Sequence, residues 1–320
     1  MASLLPWLFP PKFVPERDIP GLSGKIALVT GGNTGLGYQT VKHLLLHNAT
    51  VYLLARSPTK AASALASLKQ ETGKDAVFIE MDLADLKSVR RAAEEFLGRE
   101  ERLDLMWNNA GLMACPTEML TAQGYDLQFG TNVLGHFLLT ELLLPALLCS
   151  HLTTAHPARI IHTSSIGHLF APSTPSFEST PLKGGEARDA WIKKEGGGEM
   201  MSTWKLYGTS KLANILLSNH LARTHASDVL VSCAVHPGFV NTELGRHGGF
   251  LMQWSGKMLF LTPAQGALTQ LWAGTAATPE EINGQYLVPF AARGKPSAQA
   301  LDEKLEGEVV AYLRKQVEGF

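Results

Sequence analysis

The chain has 320 residues, 45% hydrophobic and 18% charged, a balance that excludes a disordered protein. Its 28 basic and 29 acidic residues leave a net charge of −1, so no global field exists to hold a polyanion and a general nucleic-acid binder is excluded. Three scattered cysteines, Cys115, Cys149 and Cys233, form no C-x-x-C pair; this speaks against a disulfide framework or zinc knuckle and fits a reducing, cytoplasmic setting.

The amino-terminal stretch Leu4–Phe9 is apolar, but Pro6 interrupts it, Pro10 and Pro11 follow it, and no basic residue precedes it. That is not the pattern of a secretory signal. Residues 1–23 read as an arm, packed or disordered, with peripheral membrane contact through residues 1–20 as the alternative. From Lys25 onward, strands alternate with helices. Lys25–Thr30 predicts a first strand, followed by Gly31-Gly-Asn-Thr-Gly-Leu-Gly37 and a helix to about His47. Thr50–Ala55 predicts a second strand, Ser57-Pro58 opens a helix ending near Gly73, and Ala76–Met81 predicts a third strand. A helix over Leu86–Leu97 leads to a fourth strand at Leu103–Trp107, which ends in Asn108-Asn-Ala-Gly111. A long helix spans about Tyr125 to Leu148; its apolar run Leu142–Cys149 contains Pro145 and is too short to cross a bilayer, so no transmembrane segment is expected. A fifth strand at Arg159–Thr163, a second long helix over about Lys205–Thr224, a sixth strand at Val229–Val235 and a seventh at Gln285–Val288 complete the pattern.

Strands apolar on both faces and alternating with helices predict an α/β fold: a Rossmann-type, doubly wound parallel sheet of about seven strands with helices on both faces. No linker or repeat divides the chain, so residues 24–320 read as one domain, with an insertion at about 170–203. Within it Gly184–Gly198 is polar and glycine-rich and predicts a weakly ordered loop, where Trp191, Met200 and Met201 are candidates to line a hydrophobic entrance. Ligands of such sheets sit beyond the carboxyl ends of the strands. There, Gly31 permits a tight turn, Gly35 lets the backbone approach a pyrophosphate, and Gly37 lets the helix pack on the sheet. The helix N-terminus offers its N–H groups to phosphate. His43 and His47, spaced i,i+4, lack a third ligand and read as a solvated helix face, so no metal is expected.

The spacing Thr30-Gly-x-x-x-Gly-x-Gly37 resembles the short-chain dehydrogenase/reductase family, and the resemblance runs from about Gly24 to Pro289. It is carried by Asp82 after the third strand, Asn108-Asn-Ala-Gly111, Thr131-Asn132-Val133, Thr163-Ser-Ser165, Tyr207-Gly-Thr-Ser-Lys211 and Pro237-Gly-Phe-Val-Asn-Thr242. The wording of the glycine loop, of Ser210–Leu216 and of His236-Pro-Gly is similar to the retinol dehydrogenases and WW-domain oxidoreductases, and looks closest to the fungal reductases of that branch. The resemblance implies a nicotinamide cofactor held by Gly31, Asn33, Thr34, Gly35, Leu36 and Gly37. It puts Asp82 and Leu83 at the adenine, Asn109 and Ala110 under the adenosine ribose, and Pro237, Gly238, Val240 and Thr242 around the nicotinamide carboxamide. An NAD enzyme commonly carries an acid at the end of the second strand. Here Ala55 is neutral, Arg56 offers a planar cation and Lys60 lies one helical turn on, which points to the 2′-phosphate of NADP(H).

Tyr207 and Lys211 are four apart and share one helix face. The resemblance makes Tyr207 the proton donor to a carbonyl oxygen and Lys211 the cation that lowers its pKa and reaches the nicotinamide ribose. It makes Ser165 the group that holds the substrate oxygen, and Asn132 the support of a water-linked relay to Lys211. Ser165 and Tyr207 are 42 positions apart, a wider gap than many relatives have, and the extra residues are expected over the substrate mouth. The expected function is NADP(H)-dependent hydride transfer to or from the carbonyl or alcohol of a small hydrophobic molecule, in a chain that assembles as a homodimer or homotetramer. The alternatives are a non-enzymatic NADPH-binding sensor or scaffold and an NAD-dependent alcohol oxidant. His136, Phe137 and Trp204 are expected to pack.

Overall fold

The computed structural model describes residues 13–172, 177, 182–194, 197–240 and 261–320. The apolar runs become β1 (Ile26–Thr30), β2 (Thr50–Ala55), β3 (Val77–Glu80), β4 (Leu105–Asn108), β5 (Ala158–Thr163), β6 (Leu230–Val235), β7 (Tyr286–Val288) and β8 (Ala292–Arg293). They form one sheet in the order β3-β2-β1-β4-β5-β6-β7-β8, parallel throughout except for the antiparallel β7–β8 pair. This is the doubly wound α/β sheet the sequence predicts, with one strand more; β8 has two exposed residues and leaves no hydrophobic pattern to read.

The longer helices are α1 (Gly35–Leu46), α2 (Pro58–Thr72), α3 (Leu86–Leu97), α4 (Gly135–Thr154), α5 (Glu186–Lys194), α6 (Glu199–Thr224), α7 (Pro263–Thr275) and α8 (Glu303–Val317). The sheet's two faces feed two cores, as period-two side-chain alternation requires. Leu28, Leu54, Met106 and Ile160 face α3, α4, α6 and α8, while Val29, Leu53, Trp107 and Ile161 face α1 and α7. The order in which strands are added reverses between β1 and β4, the switch point where such sheets open a crevice.

The stretch Leu127–Thr154 is apolar and long enough to cross a membrane, but 67% of its most apolar window is buried inside the fold. It is not one regular helix. Gly130–Leu134 is a π-helical turn, and this irregularity carries Thr131 and Asn132. Glycines fit it to its surroundings: a Cβ at Gly130 would lie 2.2 Å from Thr121 Cγ2, and one at Gly135 would lie 2.5 Å from the Leu83 carbonyl.

One expectation is narrowed and one corrected. Residues 13–23 take the packed form of the expected arm, with Phe13, Ile19 and Leu22 buried in the α1–α7 core; residues 1–12 lie outside the described residues. Gly184–Gly198 is not a loop throughout, since it contains α5. Gly185, Gly197 and Gly198 take positive φ angles at the helix ends, so they punctuate the helix. Trp191 joins the core, Met200 and Met201 are exposed, and none of the three lines the cavity at the carboxyl ends of the strands.

Arg188 of α5 is what ties this insertion down. It is buried, with Nη2 2.8 Å from Asp126 Oδ2, and it also donates to the Thr117 carbonyl. Burial pushes the Asp126 carboxyl up, and Arg188 with the Phe129 and Gln128 N–H groups pulls it back. Arg188→Met should therefore cost about 3–5 kcal/mol at pH 7.5, because a buried carboxylate loses its counter-charge. The loss should shrink at pH 5, where Asp126 takes up a proton more readily in the variant than in its unfolded chain. Urea denaturation at both pH values checks this; an equal loss at both would mean that the charge of Asp126 is not the cause.

Candidate active site

A cavity of about 710 Å³ runs across the carboxyl ends of β1, β2, β4, β5 and β6. At one end, Gly31, Asn33, Thr34, Gly35 and Leu36 line it, facing Arg56 and Lys60. Gly31 and Gly35 have φ of +65° and +57°, the left-handed region that favours glycine. A Cβ at Gly37 would lie 2.3 Å from the Gly31 carbonyl and 2.6 Å from Asn109 Nδ2, so this loop closes only on a glycine.

Beneath the loop lies a bonded network. Asn109 Nδ2 donates to the Thr30 carbonyl at 2.8 Å, while the backbone N–H groups of Asn109 and Ala110 both donate to Thr30 Oγ1. His136 Nδ1 donates to the Asn132 carbonyl at 3.1 Å, so its Nε2 accepts from Thr30 Oγ1 at 2.8 Å. Burial pushes His136 down to about 4, which keeps it neutral, and the Asn132 carbonyl fixes that tautomer. Gln270 of α7 donates to both Thr40 and Asn109. His136 thus packs, as expected, but it also braces β1 against the π turn. Gln270 comes from a distant helix and had no local signal.

Asp82 and Leu83 line the middle of the cavity with Asn109 and Ala110. The hydroxyls of Thr131 and Thr163 are buried on its wall without a hydrogen-bond partner. Pro237, Gly238 and Val240 line the far side; Thr242 lies outside the described residues.

Ser165, Tyr207 and Lys211 meet at the other end. Ser165 Oγ lies within hydrogen-bonding reach of the Tyr207 hydroxyl and accepts from the Gly167 N–H at 3.0 Å. The neighbouring Ser164 is committed elsewhere, donating to the Lys211 carbonyl at 2.7 Å. Lys211 Nζ donates to the Thr163 carbonyl at 2.9 Å and stands 5.8 Å from the centre of the Tyr207 ring. Asn132 lies behind the cavity wall. Its Oδ1 accepts from the Leu112 N–H, and its Nδ2 donates to the Leu112 carbonyl and to Ser210 Oγ.

The expected electrostatics are corrected in one respect. Burial dominates Tyr207 and pushes it up to about 12, with Ser165 pulling the other way. The same burial pushes Lys211 down to about 8. An ammonium that itself resists charging is a poor stabiliser of a neighbouring phenolate, so Lys211 does not bring Tyr207 below its ordinary value here.

Beyond Tyr207 the wall turns apolar: Met113, Ile166, Phe170, Trp204 and Phe239. Trp204 stands edge-on to Tyr207 at 6.1 Å and tilted on Phe170 at 5.7 Å. Trp204 therefore lines the cavity as well as packing. Its position one turn before Tyr207 was the signal in the sequence. No cluster of His, Cys, Asp and Glu among the described residues could hold a metal, and His47 Nδ1 is instead bonded to the His43 carbonyl at 2.7 Å.

A phosphate-sized glycine turn at a helix N-terminus and a serine–tyrosine–lysine cluster, at two ends of one cavity on a doubly wound sheet, define a nucleotide-dependent oxidoreductase scaffold. The comparisons agree. The short chain dehydrogenase family model matches residues 25–175. A short-chain dehydrogenase/reductase of Armillaria gallica is 45% identical over 324 residues, covering 99% of this chain and 98% of that protein. Retinol dehydrogenase 11 of Mus musculus is 37% identical over 269 residues, covering 83% of this chain and 78% of that protein. Among solved structures, an uncharacterized protein from Mycobacterium paratuberculosis has a TM-score of 0.71 at 28% identity, covering 96% of this chain and 97% of its own. The RhlG/NADP active-site complex of Pseudomonas aeruginosa has a TM-score of 0.61 at 25% identity, covering 84% and 96%. The chain belongs to the short-chain dehydrogenase/reductase family, in its retinol dehydrogenase-like branch.

The lysine gives a test with a defined sign. With its pKa near 8, folded Lys211 binds fewer protons than the unfolded chain between about pH 8 and the ordinary lysine value of 10.5. This group therefore makes stability rise with pH across that window, and its cost is complete below it. Lys211→Met keeps the stem, and the Thr163 carbonyl retains its bond from Asn214 Nδ2. The variant should melt a few degrees higher than the wild type at pH 7, with the gap closing towards pH 10. Scanning calorimetry across that range checks it; a wild type that melts higher at pH 7 would contradict a buried charge held at a cost.

Proposed function

We propose that this protein is an NADP(H)-dependent oxidoreductase that moves hydride between the cofactor and the carbonyl or alcohol carbon of a small, uncharged, hydrophobic molecule. The observation that carries this reading is the single cavity that joins the glycine turn and Arg56 to the Ser165–Tyr207 pair. The fit to the nucleotide rests on the left-handed Gly31 and Gly35, on the space that a Cβ at Gly37 would fill, and on the unpartnered buried hydroxyls of Thr131 and Thr163. Gly31, Asn33, Thr34, Gly35 and Leu36 would hold the pyrophosphate at the start of α1. Arg56 and Lys60 would take the 2′-phosphate, Asp82 and Leu83 the adenine, Asn109 and Ala110 the ribose, and Pro237, Gly238, Val240 and Thr242 the carboxamide. NADP(H), when bound, supplies or accepts the hydride.

The chain's own residues manage the oxygen and its proton. Ser165 holds the substrate oxygen beside Tyr207. The Tyr207 hydroxyl, protonated well above neutral pH, gives its proton to that oxygen as reduction makes it an alkoxide. Lys211 draws the nicotinamide ribose to this end, and Asn132 braces the strand end that carries Leu112. A tyrosine kept protonated suits an acid better than a base, which supports reduction as the working direction. The apolar wall of Met113, Phe170 and Trp204 has no charged group with which to recognise a carboxylate or ammonium on the substrate.

Tyr207→Phe removes one oxygen and should lower NADPH-dependent reduction of a panel of ketones and aldehydes by about 10²- to 10⁴-fold while leaving NADPH binding intact. Turnover near the wild-type rate would remove Tyr207 from the chemistry. Arg56→Asp should weaken NADPH binding by about ten- to a hundredfold and improve NADH relative to it, since a cation at the 2′-phosphate becomes a like charge. Titration with both cofactors checks this, and an unchanged preference would show that Arg56 is not the phosphate clamp.

A further inference from the structure

The turn that carries Ser165 holds a histidine outside the set that meets the substrate or cofactor. Residues Ile166–Phe170 form a single 3-10 turn, and His168 within it is buried, 1% exposed. Its two ring nitrogens face opposite kinds of partner. Nδ1 lies 2.7 Å from the Ser165 carbonyl, an acceptor, so Nδ1 must donate. Nε2 lies 3.0 Å from the backbone N–H of Ser297, a donor, so Nε2 must accept. Only the neutral Nδ1–H tautomer satisfies both. The ring is held edge-on against Tyr286 at 5.2 Å, and burial disfavours its charged form.

The contact reaches the reacting groups directly. The Ser165 carbonyl accepts from both the backbone and the ring of His168, and Ser165 Oγ accepts from the Gly167 N–H. The turn has no slack, because a Cβ at Gly167 would lie 2.6 Å from the Tyr207 ring and 3.3 Å from Ser165 Oγ. On the far side, Ser297 opens the short turn Ala298–Leu301, which is itself pinned to this region by Gln299 Nε2 on the Pro172 carbonyl and to α6 by Asn219 Nδ2 on the Ala300 carbonyl.

We propose that His168 is a positioning residue that fixes the Ser165 hydroxyl against Tyr207 by donating from Nδ1 to the Ser165 carbonyl, in the tautomer that the Ser297 N–H selects at Nε2. The inference rests on the role given to Ser165 above. The bond to Ser165 sets the oxygen-holding geometry. The bond to Ser297 selects the tautomer that can make it and couples the turn to the chain beyond β8.

The two halves of the imidazole can be separated by amide side chains. Asparagine can place an N–H where Nδ1 stands and has nothing at Nε2; glutamine can place an acceptor where Nε2 stands and has nothing at Nδ1. With phenanthrenequinone as a flat, apolar carbonyl probe and NADPH as reductant, His168→Asn should keep kcat within about threefold of wild type, whereas His168→Gln should lose about tenfold. The KM for NADPH should be unchanged in both, which a general loss of structure would not produce. Equal losses in the two variants, or a loss confined to His168→Asn, overturn the proposal. A second measurement needs no folded variant of high stability: nitrogen-15 spectra of the wild type, with the His168 signals identified from their absence in His168→Asn. They should show the proton on Nδ1, and a proton on Nε2 overturns the bridge even if the probe is not turned over. Ser165→Ala separates the two levels. If it retains full turnover, the role of Ser165 fails; if it is inactive while the His168 variants behave alike, only the present inference fails.

Discussion

The site depends on a lysine kept where its charge is least welcome. Lys211 is buried, and its ammonium has the Thr163 carbonyl as its described partner. Lysine ammonium groups are strongly hydrated, so this placement costs stability that one hydrogen bond only partly offsets. The fold accepts the cost because α6 and β5 are fixed independently of it. α6 is buried along most of its length, and β5 is paired on both sides. Ser164 adds a bond to the Lys211 carbonyl, so the end of β5 holds the lysine by backbone and by side chain. A ligand that brought a hydrogen-bond acceptor to this ammonium would return to Lys211 part of the solvation that burial removes.

At the opposite end the shape of the glycine turn is set by steric exclusion. Gly37 sits where any side chain would strike the Gly31 carbonyl, and Asn109 fills the remaining space by donating to the Thr30 carbonyl. Strand β1, the glycine turn and the end of β4 are therefore one bonded unit. Thr30 is its hub, with His136 extending it to the π turn at Asn132. The glycine turn, the end of β4 and the π turn thereby keep a common geometry.

What was legible in the sequence was whatever leaves a local mark. The sheet followed from its apolar strands, the glycine turn from its spacing, and Tyr207 with Lys211 from a separation of four that puts them on one helix face. Three things were not legible. The π turn at Gly130–Leu134 has the composition of an ordinary helix, and its irregularity comes from tertiary fit around Thr121 and Leu83. Helix α5 was hidden by its flanking glycines, which suggest flexibility while serving as helix ends, and by Arg188, whose charge suggests solvent while its partner Asp126 lies 62 positions earlier. The pKa of Tyr207 was misjudged because sequence reports which charges are near but not how dry the site is.

That dryness shapes the chemistry more than any single contact. Water excluded from around Tyr207 and Lys211 moves both towards their neutral forms, the phenol up and the amine down. In the proposed reaction the phenol can still pass its proton to an alkoxide, which is the stronger base, whereas acting as a base would require a phenolate to stand in this dry site from the start. Trp204, Phe170 and Met113 extend the same dry wall past the hydroxyls, so a substrate that enters must shed its water as well. Apolar substrates lose least by doing so. On the proposed reading, substrate choice and proton direction come from one physical source, the exclusion of water from the end of the cavity where α6 meets β5.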